Sequence, residues 1–257
     1  MRHPFELPDG AYAVDFRATD VAGNISKVGE AQEIIVDTTP PRIGSYTISS
    51  GAFLLYPEGD AFRFVEGGRA TLSISLEHDT ASATVALCSN RHESPVASCS
   101  VWSLTALSGL WRSDIAFEKS GEYALLISAS DALENKAENR VIGGVTVSAP
   151  GRVVSESGNV LIDGAEINIE LFRPEDQTWT RWQAEAYGLA NPILTKNSGL
   201  YEMLLPAGRY RLRLKKRGYQ RLATSPFEVV NPLFIHSDFT MQPRKGIRGW
   251  IEDWMER

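Results

Sequence analysis

The side chains able to do chemistry in this sequence are few and scattered. Two cysteines, Cys88 and Cys99, flank a polar stretch at 89–98. If their strands are antiparallel neighbours, the two sulfurs come within bonding distance. Closing a loop of this size stabilises a fold by up to about 3 kcal/mol in the chain-entropy model. Disulfides persist in oxidising compartments, so the pair points outside the cytoplasm; the plain alternative is two free, partly buried thiols in a cytoplasmic protein. The histidines His3, His78, His92 and His236 lie far apart, and none forms a zinc-ligand spacing with a cysteine or another histidine. There is no G-x-S-x-G, no H-E-x-x-H and no glycine-rich phosphate loop. His92-Glu93-Ser94 falls in the stretch between the cysteines, a poor place for a preorganised catalytic set. The expectation is a protein that is not an enzyme, with no catalytic residues.

Three other constellations could hold a ligand. Arg209, Arg211, Arg213 and Lys215 alternate along one segment and are joined by Lys216, Arg217 and Arg221, with no acid between 209 and 221. A cationic strand face of this kind can grip an acidic polymer such as a cell-wall polyanion. More simply, it is a solvated face paired with Glu166 and Glu170 or with Glu202, each pair worth about 0.2–1 kcal/mol. Trp179, Trp182 and Tyr187 cluster ahead of Asn191-Pro192; exposed rings stack on sugars, and buried ones fill a small core. Asp20, Asn24 and Asp37 gather near one linker, and Asp131 and Asn135 repeat the first two. Oxygen ligands at such a junction suit calcium, but Asp and Asn are also ordinary turn residues. No other cofactor is expected.

The bulk composition supports these readings. The chain has 257 residues, 43% hydrophobic and 23% charged, enough to bury a core in each of one to three domains. Its net charge of −6 argues against a nucleic-acid partner. No apolar run approaches the roughly 20 residues that span a bilayer. The segment MRHPFELPDG has no stretch of signal-peptide length, which leaves a cytoplasmic protein or a piece whose export signal lies upstream.

An internal repeat favours the second. Gly10, Tyr12, Ala18, Asp20 and Asn24 recur as Gly121, Tyr123, Ala129, Asp131 and Asn135, at a constant separation of 111 residues. Fixed-period similarity marks a repeated unit, and a period near 100 suits one sandwich of the immunoglobulin type. Both copies alternate apolar and polar residues, so one strand face is buried and one wetted. Residues 20–26 read as a turn, 33–36 as a second strand, and Pro40-Pro41 ends it by removing ladder donors. Residues 1–40 are therefore expected to hold only the last strands of a module whose other strands lie upstream of Met1. Residues 41–149 are expected to form a complete module, with strands at 42–49, 52–56, 69–77, 84–88, 101–104, 111–117, 122–130 and 141–147 separated by glycine turns.

The run DGAYAVDFRATDVAGNIS followed by IIVDTTPP resembles the closing strands and linker of the bacterial immunoglobulin-like domains found in tandem on surface proteins and adhesins. The second copy departs from the first in having Glu134 where the first has Gly23. Residues 150–243 change character. They place Gly199-Leu200-Tyr201, Pro206-Ala207-Gly208-Arg209-Tyr210 and Gly218-Tyr219 in succession, each glycine allowing a tight turn before a tyrosine returns to the pleat. This order resembles the carboxypeptidase regulatory-like domain, which implies a seven-stranded transthyretin-like sandwich in an accessory, non-catalytic role. A related adhesin family closes a lysine–asparagine bond across its sandwich, but residues 151–172 contain no lysine, so that bond is not expected here. In the tail, 244–257, Ile247, Trp250, Ile251, Trp254 and Met255 fall on one helical stripe. Such a segment could lie on a membrane surface, precede a membrane span or pack on the last sandwich.

The expected fold class is all-β, with tandem immunoglobulin-like sandwiches followed by a smaller transthyretin-like one. The expected function is a structural stalk in an extracytoplasmic protein, at the cell surface or secreted. The alternatives are an adhesive module, and an accessory region of a larger secreted enzyme. The adhesive module would meet a cell-wall polymer, a glycan or another surface protein through Arg209, Arg211, Arg213, Lys215, Trp179 and Trp182. Membrane contact is expected only through the tail or flanking regions.

Overall fold

The computed structural model describes residues 7–89, 98–157, 160–196 and 199–244. The described chain is all-β, with one short 3-10 turn at Ala184–Tyr187. The tail stripe from Ile247 to Met255, and His92-Glu93-Ser94, lie outside the described residues.

The first unit is a single hairpin, β1 (Gly10–Val14) with β2 (Gln32–Val36), paired antiparallel. Among its described residues the central unit has ten strands: β3 (Ile43–Ser50), β4 (Phe53–Leu55), β5 (Ala61–Val65), β6 (Arg69–Leu76), β7 (Thr80–Ser89), β8 (Cys99–Ser103), β9 (Thr105–Leu107), β10 (Leu110–Ala116), β11 (Gly121–Asp131) and β12 (Lys136–Ser148). They form two five-stranded sheets, in the orders β4-β3-β6-β10-β9 and β5-β12-β11-β7-β8. Alternate residues of each sheet point inward, so Ile48, Leu72, Ile74 and Ile115 from one meet Val85, Leu87, Leu125 and Ile127 from the other. All pairs are antiparallel except β5 with β12, which run parallel from Ala61↔Gly144 to Val65↔Ser148. The expected strand list has no strand at 61–65. The alternation of Phe62 and Phe64 signals one, but two glycine turns crowd it on either side.

The repeat extends further than the residues that first reveal it. Gly10 faces Val36 and Tyr12 faces Ile34 in β1–β2; Gly121 faces Val147 and Tyr123 faces Val145 in β11–β12. Each position again differs by 111, and the bridge Thr19↔Ile25 matches Ser130↔Lys136. The Tyr12 hydroxyl donates to the Pro8 carbonyl (2.7 Å) and the Tyr123 hydroxyl to the Lys119 carbonyl (2.8 Å), each four residues upstream.

The third unit holds β13 (Gly151–Ser155), β14 (Glu166–Arg173), β15 (Thr178–Arg181), β16 (Ile193–Leu194), β17 (Leu200–Tyr201), β18 (Met203–Leu205), β19 (Gly208–Lys215), β20 (Leu222–Ala223), β21 (Phe227–Val229), β22 (Leu233–Ile235) and β23 (Phe239–Met241). Among the described residues there are eleven short segments where seven strands were expected. The sheet β15-β14-β19-β20 is the longest, with three-stranded β17-β13-β23 and two-stranded β18-β22 completing the unit. Its core gathers Val153, Ile167, Ile169, Trp182, Tyr210 and Leu212. Gly151 opens β13 because a Cβ there would lie 2.5 Å from the Tyr201 ring.

The central and third cores are separate clusters that touch. Leu204 and Phe234 of the third unit pack into the central cluster, and Leu189 packs against both. The Phe64 ring stacks on Phe117 (3.9 Å between centroids) and also meets Phe234 (5.9 Å). Phe53 meets Tyr187 at 4.8 Å. Only Ala149 and Pro150 separate β12 from β13. The two sandwiches are thus pressed together through apolar side chains rather than strung as independent bodies.

Candidate functional site

The residues with the most chemistry lie at the junctions between units. At the first junction, the β11–β12 turn is built on Asp131. Its Oδ1 accepts the backbone N–H groups of Leu133 (2.8 Å) and Asn135 (2.9 Å), and its Oδ2 accepts the Asn135 side-chain amide (2.8 Å). Asn135 also donates to the Asp37 carbonyl (2.9 Å), so the turn holds the chain entering β3. Burial pushes the Asp131 carboxyl up, but its hydrogen bonds from Asn135 and the turn outweigh this and leave it below the usual range. Glu134 sits at φ 68°, the left-handed region, where the first copy places Gly23 at φ 87°.

The carboxylates of Asp37, Asp79 and Asp131 each place an oxygen within 4.8 Å of the others. Three such oxygens are a donor set that hard cations take. Of the five residues expected near calcium, Asp37, Asp131 and Asn135 come together here. Asp20 and Asn24 lie apart, hydrogen-bonded to each other in the first unit. Asp79 was not expected: it comes from the turn between β6 and β7, and no sequence spacing joins it to the others. Beside it, Thr80 Oγ1 is buried without a hydrogen-bond partner. Across the linker, Asp9 accepts from the Thr38 N–H and hydroxyl and from the Thr39 hydroxyl, which hold its carboxyl below the usual range.

The basic strand is β19, and its charges are largely answered. Glu170 on β14 accepts from both Arg211 and Arg213 (3.1 Å for the second), and Lys215 pairs with Glu166 at 2.8 Å. Cross-strand register explains the pairing, since Glu166 faces Lys215 and Glu170 faces Arg211. The Arg209 guanidinium lies over the Phe172 ring (5.1 Å) and that of Arg211 over Trp179 (4.6 Å), while Phe172 and Trp179 meet at 5.2 Å. Trp179 is part of this half-exposed face. Trp182, by contrast, is 4% exposed and belongs to the core, edge-on to Tyr210. Burial pushes the Tyr210 hydroxyl up to about 12. The face therefore presents Trp179 alone of the two expected tryptophans.

Beside the second junction a cavity of about 370 Å³ opens in the third unit, with Glu66 the one described lining residue from the central unit. Leu189, Ile193, Met203 and Leu204 give it an apolar wall, with Trp182 behind, and Glu66, Lys196 and Glu202 supply charge. Nearby, Arg152 pairs with Asp238 and holds that carboxyl below its usual range. Cys88 and Cys99 face each other across β7 and β8 and are disulfide-bonded. Among the described residues no helix is long and apolar enough to cross a membrane.

In comparisons with known proteins, no family model matches the chain and no curated protein matches it.

Proposed function

We propose that this chain is a non-catalytic structural stretch of a bacterial cell-surface or secreted protein. In it, immunoglobulin-like sandwiches and a carboxypeptidase regulatory-like sandwich act as a stalk. The observation that carries the reading is the packed second junction, where Phe234 and Leu204 enter the central core across a two-residue linker. A spacer needs resistance to bending, and buried apolar contact between neighbours supplies it. The Asn135 grip on the Asp37 carbonyl does the same at the first junction. The immunoglobulin-like reading is supported by the two tyrosines bonding back four residues, the arrangement of a tyrosine corner, and by two facing sheets of matching size. The Cys88–Cys99 bond supports an oxidising, extracytoplasmic setting. Small-angle scattering tests the stalk: one fixed arrangement of the central and third units should fit the data. Phe234→Ser with Leu204→Ser should broaden the distribution of inter-unit angles. A broad distribution in the parent protein would end the stalk reading.

A second reading, an adhesive module, is favoured by the ladder of Arg209, Phe172, Arg211 and Trp179 on an outer sheet face. Flat guanidinium and ring surfaces of this kind suit a glycan or an acidic cell-wall polymer. Retention on purified cell-wall glycan, lost in Arg211→Glu with Arg213→Glu, is its test; no retention by the parent excludes it.

A further inference from the structure

The first unit contains the same strand pair as the central sandwich, in the same register, without the sheet that covers the copy. In the copy, Leu125, Ile127 and Val145 are 1%, 0% and 2% exposed. Their counterparts are Val14, half-buried, and Phe16 and Ile34, 71% and 44% exposed. Around the copy, β7 runs antiparallel along the outer edge of β11, β5 runs parallel along that of β12, and β3, β6 and β10 close the inner face. Among the described residues, nothing fills these roles for β1 and β2, which form a two-stranded sheet.

The turn repeats as well. Asp20 Oδ1 accepts the Ala22 and Asn24 N–H groups (2.9 and 2.8 Å), and Oδ2 accepts the Asn24 amide (2.8 Å), bond for bond as at Asp131. Asn135 makes one bond more, to the Asp37 carbonyl in the chain that leads into β3. Among the described residues no carbonyl takes that second place at Asn24.

We propose that β1 and β2 are the closing strands of a further sandwich. Its open inner face takes a covering stretch equivalent to β3–β10, whose entering chain is held by the Asn24 amide. A second copy of this chain is a poor occupant, because its own β3–β10 strands are already covered by β11 and β12. In the copy, the gripped chain runs straight into the covering strands, so the grip at Asn24 and the open face of β1 and β2 fit one and the same complement. The inference rests on the internal repeat and stands whether or not the stalk reading does, since its test reads residues 10–36 alone.

The test is amide hydrogen exchange on the full chain and on a graft in which a copy of residues 38–119 is joined directly ahead of Asp9. In the ungrafted chain, amides of β1 and β2 should exchange at least 100-fold faster than those of β11, equally at low and high protein concentration. In the graft they should slow at least 100-fold, and Asn24→Ala should reduce that protection in the graft only. Because the donated strands evolved against another face, a second graft carries Val14→Leu, Phe16→Ile and Ile34→Val, which reproduce the inner residues of β11 and β12. Fast exchange persisting in that second graft overturns the proposal. So does strong protection of β1 in the ungrafted chain: if it rises with concentration, a second copy covers the face; if it does not, the hairpin needs no complement.

Discussion

Glu134 is the residue where the repeat departs from its own rule, and the departure has a measurable cost. An L-residue in the left-handed region is strained by roughly 1–2 kcal/mol, while glycine is not. Glycine gives some of this back through a more flexible unfolded chain. Glu134→Gly should therefore raise stability by up to about 1 kcal/mol, read by urea denaturation; a loss of stability would mean that the Glu134 side chain makes a compensating contact. Asp131 shows the opposite case. Its carboxyl lies below its ordinary value in the folded protein, so the ionised form favours folding at pH above the unfolded value near 4, and that advantage fades as pH falls through the lower folded value. Asp131→Ala should lower the thermal midpoint at pH 7 and shift it less in acid, as the carboxyl takes up its proton. Equal shifts at pH 7 and in acid would show that the turn works through shape and not charge. The sequence made Asp131 and Asn135 visible as a repeated pair. It could not make Asp79 visible, because a turn contact between distant strands leaves no spacing to read.

Strands were legible where alternation was long and opened by glycine, as in β6 and β11. Legibility failed for β5, which is five residues long and lies between glycine turns. It failed again in the third unit, where two- and three-residue pairings such as β16 and β20 are set by neighbours and not by their own pattern. Of the two pairings open to the basic strand, among the described residues the one with Glu166 and Glu170 forms and the one with Glu202 does not; period two groups the charges on one face, but only the β14–β19 register selects their partners. Trp182 could not be told from Trp179 in this way, because the chain turns between them at the end of β15. At the same scale, the β7–β8 pair is closed by the disulfide over a short loop. Replacing both cysteines with serine should cost up to about 3 kcal/mol in the chain-entropy model, and treatment of the parent with reductant should give a similar loss. Insensitivity to both would mean that the cross-link constrains a region already ordered without it.

For the whole molecule, the shared apolar contact makes a prediction about cooperativity. Phe234 is 7% exposed and bridges to Phe64, so Phe234→Ala should remove about 3–5 kcal/mol locally. The parent's central and third units should unfold in one calorimetric transition, and the variant's in two. Two transitions in the parent would show that the interface is too weak to couple them. The division into units could be read from the repeat and the change in glycine–tyrosine pattern. Their contact could not, because Leu204 and Phe234 look like ordinary core residues of the third unit.

The one parallel pairing in the central sandwich has a mechanical consequence. The chain enters that sandwich through β3 and β4, then passes into β5, and leaves it from the far end of β12; β5 and β12 run side by side from Ala61↔Gly144 to Val65↔Ser148. Once β3 and β4 have given way, tension along the polypeptide would drag β5 and β12 in opposite directions along their length, so their ladder bonds are loaded together in shear rather than peeled one at a time. A single-molecule pull should meet its main resistance there, and Glu66→Pro, which deletes the Glu66 N–H bond to the Ser148 carbonyl at the end of this ladder, should lower the rupture force.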